Sequence, residues 1–85
     1  MNKFAIIKMV IKMKSMYDIR QLLKKFGTYI YTGNKIGDLE LMEMEIEELQ
    51  KYGFIQKEDY ISAKLLLRKE MAIIRDQQAM EGESK

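Results

Sequence analysis

Phe26-Gly27-Thr28-Tyr29-Ile30-Tyr31-Thr32-Gly33 decides the fold class. Thr28 to Tyr31 is a β-branched and aromatic run that reads as extended backbone, and Thr32-Gly33-Asn34-Lys35 has the chemistry of a turn. A single short extended stretch with no partner strand elsewhere in the chain cannot build a sheet. The expectation is therefore an all-α fold: a compact three-helix bundle with a short extended connector between helices 1 and 2.

Upstream of the connector, Ser15-Met16-Tyr17-Asp18 matches a capping box in its looser form, so helix 1 starts there. Ile19, Leu22, Leu23 and Phe26 share one face at helical spacing, and Gly27 is placed to end the helix in a left-handed conformation. Downstream, helix 2 should run from about Lys35 to Tyr52, with Asn34 as N-cap and Gly53 as the stop. Its buried stripe is Ile36, Leu39, Met42, Ile46 and Leu49, and Glu40, Glu43 and Glu47 line one flank. Leu41 and Met44 project away from that stripe. The favoured reading makes them second-layer core against helix 3, and the alternative makes them exposed groups meant for a partner.

Helix 3 should begin near Gln56 or Lys57 and reach at least Arg75, burying Tyr60, Ala63, Leu67, Met71 and Ile74, with Leu66 and Ile73 widening that face. Ile61, Leu65 and Ala72 form a second apolar strip nearly opposite, more than an isolated bundle requires. A second copy, another partner or the N-terminal apolar segment would cover it. Between the two strips lie Lys64, Arg68 and Arg75, a basic ridge. After Gln77 the pattern fades and a frayed tail is expected. The domain layout is thus an extension over 1–15, the bundle over 16–76 and a tail over 77–85.

A chain of 85 residues has room for one domain. With a third of its residues charged, no Pro and little Gly, it reads as helix-rich rather than disordered. It has no Cys, which removes disulfides and thiolates and suits a cytoplasmic location, and no His, which removes the commonest general base and metal ligand. The net charge of +2 hides a strong segregation. Residues 1–37 carry eight bases and one acid, 38–48 carry six acids and no base, and 49–85 carry seven bases and six acids.

Lys3, Lys8 and Lys12 supply the whole surplus: without the first twelve residues, twelve bases face thirteen acids. The apolar run there, Phe4 to Ile11, is broken by Lys8 and falls short of the ~20 residues that span a bilayer. It also lacks a secretory cleavage site. The expectation is that translation starts at Met13 or Met16 and that the residues before are an overcalled start or a loose extension. A membrane-surface amphipathic helix is the alternative.

Tyr17-Asp18, Gln21 to Lys24, Gly27 to Gly33, Asp38 to Glu43, Tyr60 and Leu65 to Glu70 occur in an order that closely resembles the YqgQ-like family of short Gram-positive bacterial proteins. The resemblance covers about Met16 to Arg75. It implies a compact three-helix bundle, a cytosolic protein with no established biochemical role, and a fold for which single-stranded nucleic acid binding has been suggested. Two features depart from the family pattern. Residues 1–15 lie outside it, and Gln56 stands where a better N-cap would be expected.

Three classes of function compete. A protein-interaction or self-associating module ranks first, through Leu41, Met44, Ile61, Leu65 and Ala72, helped by eight adaptable methionines. Single-stranded DNA or RNA binding ranks second. Arg20, Lys24, Lys25, Lys35, Lys64, Arg68 and Arg75 would contact phosphates, and Tyr29 and Tyr31 would stack on bases. Against it, tyrosines in such a connector are more often a lid on the core, and the acids of helix 2 can neutralise the bases within the bundle. An enzyme ranks last: there is no phosphate loop, and Ser15, Ser62 and Ser84 have no base at hand. Glu40, Glu43 and Glu47 read as a solvated face rather than a metal site. No cofactor, metal or small-molecule substrate is expected.

Overall fold

The computed structural model describes residues 13–83, and the expectations for residues 1–12 and 84–85 fall outside them. Three helices follow one another: α1 (Met16–Lys25), α2 (Lys35–Lys51) and α3 (Lys57–Glu83). No strand occurs among the described residues. The fold class is the expected all-α three-helix bundle.

Local chemistry sets each boundary. The Ser15 side chain accepts the Asp18 backbone N–H, and the Asp18 carboxylate takes the N–H of Lys14, one residue earlier than a standard box would. At the far end of α1, Gly27 adopts φ +79°, while Thr28 N–H donates to Leu23 C=O and Gly27 N–H to Lys24 C=O. This double bond is the Schellman motif, which caps carbonyls the helix leaves unpaired. α2 begins with the Asn34 side chain accepting Gly37 N–H at 2.7 Å and ends in the same motif around Gly53. The two helix ends meet, with the Phe26 and Phe54 rings 5.3 Å apart and tilted by 60°. Phe26 consequently sits beside Phe54, partly exposed, instead of in the core.

α2 and α3 form an antiparallel hairpin, and α1 covers one side of it. Ile19, Leu22 and Leu23 of α1 meet Leu39, Met42 and Ile46 of α2 and Ala63, Leu67, Met71 and Ile74 of α3. Ile55 closes the core from the turn between α2 and α3, and Ile36, Leu49, Tyr60 and Leu66 pack half-buried around it.

Three expectations need correction. Leu41 and Met44 are exposed, Met44 to 59 %, because α1 lies on the other side of the hairpin and no described residue covers the back of α2. They are not second-layer core. Ile73 is likewise exposed instead of widening the buried face of α3. The helix also continues past Gln77 to Glu83, since Gln78, Ala79, Met80 and Glu81 are all adequate helix formers even without a core to bury against.

Candidate functional site

After Gly27 the chain runs back as an extended connector, and alternation sorts its side chains. Ile30 packs against the core, so Tyr29 and Tyr31 point the other way and are 74 % and 88 % exposed. Neither is a lid on the core, contrary to the more conservative expectation. The connector is pinned at its far end by Asp38, whose Oδ1 accepts Thr32 N–H at 2.8 Å and the Thr32 hydroxyl at 2.6 Å.

Between α1 and this connector lies a groove of about 290 Å³, floored by Leu23, Ile30 and Met42 and edged by Arg20, Lys24, Tyr29 and Tyr31. Among the described residues no carboxylate lines it. A second hollow of about 390 Å³ adjoins it across Arg20 and Tyr31 and is also lined by Lys35, Asp38 and Glu70. Neither Arg20 nor Lys24 makes an ion pair with any described residue. Lys25 and Lys35 are also exposed and unpaired among the described residues, but Lys25 does not line the groove.

Lys64, Arg68 and Arg75 of α3 line neither hollow and are engaged. Arg68 grips Glu43 through two hydrogen bonds of 2.8 Å each, a bidentate pairing, and Arg75 lies 3.8 Å from Glu40. Lys64 sits 5.6 Å above the Tyr60 ring. The Arg68 hydrogen bonds hold the Glu43 carboxyl below its ordinary range despite some desolvation, and Arg68 is correspondingly held more firmly protonated. The Glu43 side chain is only 16 % exposed, so that position is an interhelical pairing site and not the solvated face expected of it. The sequence-predicted basic set thus divides, with Arg20, Lys24, Tyr29 and Tyr31 around one groove and Lys64, Arg68 and Arg75 on the far flank.

Two parts of the site were missed in the sequence. The Asp38–Thr32 clasp had a signal, because an acid in the first turn of α2 stands six residues from a hydroxyl in the turn before it. The apolar floor had only the Tyr-Ile-Tyr alternation to announce it. On the other helices, Ile61, Leu65 and Ala72 form an exposed strip along the back of α3, Leu65 to 65 %.

The YqgQ-like family profile matches residues 13–73, which takes in the groove and both of its rims. The chain belongs to the YqgQ-like family. Over 59 residues it is 41 % identical to the uncharacterised protein YqgQ of Bacillus subtilis (strain 168), covering 69 % of this chain and 83 % of that protein. No solved structure matches the chain. Membership of the YqgQ-like family assigns no ligand to the groove. Among the described residues no helix is long and apolar enough to cross a membrane.

Proposed function

We propose that this chain is a cytoplasmic, non-catalytic binding module that holds single-stranded nucleic acid in the groove between α1 and the connector. The observation carrying this reading is that two unpaired cations and two exposed tyrosines edge one groove with no carboxylate in it. Stacking on an aromatic is worth ~1–3 kcal/mol per base and needs no sequence reading. Two phosphate contacts give a salt slope of only about −1.4 on a single strand, so the affinity is modest and salt-sensitive. Arg68 stays outside the interface, because freeing it would leave the largely buried Glu43 carboxylate without its partner, and Arg75 stands beside the exposed Glu40 and lines no part of the groove.

The test is anisotropy of a labelled oligothymidylate across a salt series. Replacing Arg20 and Lys24 together by Gln should flatten the slope and weaken binding at low salt. The same charge removed at Lys51 and Lys57, exposed and away from the groove, should leave both nearly unchanged. Equal losses in the two variants would reduce the effect to general attraction and end the groove reading.

A second reading, self-association or a protein partner, is favoured by the bare strip Ile61, Leu65 and Ala72. It is compatible with the first. Light scattering over a concentration range decides its homomeric form, since a mass fixed at that of one chain removes it.

A further inference from the structure

We propose that the groove accepts an unstacked dinucleotide step, with two successive phosphates on Arg20 and Lys24 and their two bases on Tyr29 and Tyr31. This rests on the single-strand reading. Arg20 and Lys24 stand one turn apart on α1, a rise of about 6 Å. Tyr29 and Tyr31 are alternate residues of an extended chain, about 6.7 Å apart on one face. Lys24 and Tyr29 line only the first hollow, whereas Arg20 and Tyr31 line both, so the connector returns along α1 with each tyrosine beside one cation. The site therefore has two neighbouring rails, one cationic and one aromatic, with nearly the same repeat.

Stacked neighbours along one strand of a duplex rise by about 3.4 Å, half of either repeat. A strand can follow both rails only with its bases pulled apart, each exchanging its stacked neighbour for a tyrosine face. A duplex cannot do this.

Both rails also stop at two. Met16 stands one turn before Arg20, α1 ends at Lys25 before another turn can follow Lys24, and the positions that would continue the tyrosine alternation are Gly27 and Gly33. Thr32, beyond Tyr31, is occupied with Asp38.

The experiment titrates the full chain with 5′-phosphorylated mono-, di-, tri- and octathymidylate at low salt, read by NMR. Affinity should rise at least tenfold from one nucleotide to two, as one more stacked base and one more phosphate contact provide. Beyond two, only the statistical gain of additional registers should remain. Removing either base of the dinucleotide should cost about tenfold in the natural protein. In Tyr29→Ala one of those two penalties should vanish, and in Tyr31→Ala the other. Affinity that keeps climbing tenfold per nucleotide, or penalties that survive both variants, would overturn the two-step register while leaving single-strand binding intact. An octamer that does not bind at all would overturn both.

Discussion

Leu67→Ala and Leu65→Ala are the same substitution made two residues apart on α3, in opposite surroundings. Leu67 has no exposed surface and lies at the centre of the core, whereas Leu65 is 65 % exposed on the back of the helix. Truncating Leu67 removes the carbons beyond Cβ, about 2.4 kcal/mol of transfer free energy at roughly 0.8 per group. The cavity left behind adds to that, and such changes in packed cores span about 2.7–5.0 kcal/mol. A single core of this size supports only about 3–5 kcal/mol. Leu67→Ala should therefore consume most of the stability, lowering the melting temperature by roughly 12–24 °C for a loss of about 3 kcal/mol. Leu65→Ala trades little buried area for a slightly better helix former and should stay within about 0.5 kcal/mol. Urea unfolding followed by circular dichroism, at two protein concentrations, measures both. Comparable losses in the two variants, independent of concentration, would refute the burial pattern. A loss at Leu65 that grows with protein concentration would place the strip in a subunit seam and support self-association.

At Gly27, φ is +79° and an added Cβ meets nothing within 4 Å, so Gly27→Ala should cost only the left-handed backbone penalty, about 1–2 kcal/mol; a neutral result in the same urea assay would show that the turn relaxes. Glu43 carries the pH dependence. Its carboxyl is held below the ordinary 4.5, chiefly by the Arg68 hydrogen bonds. The folded state therefore binds that proton less tightly than the unfolded chain, and the contribution is present in full above the unfolded value and lost as pH falls through the depressed folded one. The stability gap between the natural protein and Glu43→Gln should accordingly narrow below pH 4.5, and a gap constant into stronger acid would show that the pair contributes nothing titratable.

The parts legible in the sequence are those decided within one helical turn. Ser15, Gly27, Asn34 and Gly53 cap and stop helices through their own backbone preferences, and the 3–4 spacing of Ile19, Leu22 and Leu23 or of Ala63, Leu67 and Met71 names the core stripe without reference to neighbours. Leu41, Met44 and Ile73 were misjudged for the complementary reason. Whether a second apolar face is covered depends on where α1 lies over the hairpin, and no local pattern records that. The tyrosines fall between these cases. Alternation assigns Tyr29 and Tyr31 to one face, but only the burial of Ile30 decides which face is outward.

The same distinction explains where free positive charge survives. The run Asp38 to Glu48 is purely acidic, and Glu40 and Glu43 lie on the flank of α2 that faces the α3 ridge. That flank draws Arg68 and Arg75 into cross-helix pairs, Arg68 in the planar two-point geometry that guanidinium and carboxylate favour. Such partly exposed pairs contribute little net stability each, but they neutralise the ridge. Although Arg20 shares the second hollow with Asp38 and Glu70, α1 forms no such ion pair among the described residues. Its only acid is Asp18, committed to the Lys14 N–H at the start of the helix, and the Asp38 carboxylate beyond the connector is taken up by Thr32. Arg20 and Lys24 are therefore unpaired and line the groove with both exposed tyrosines, while Lys35, also unpaired, shares the adjoining hollow with Tyr31. Glu40→Gln tests this partition. Releasing Arg75 adds a cation that lines neither the groove nor the hollow beside it. If the groove alone binds a strand, single-strand affinity should change by less than a factor of about two, whereas a tenfold gain would return the α3 ridge to the interface.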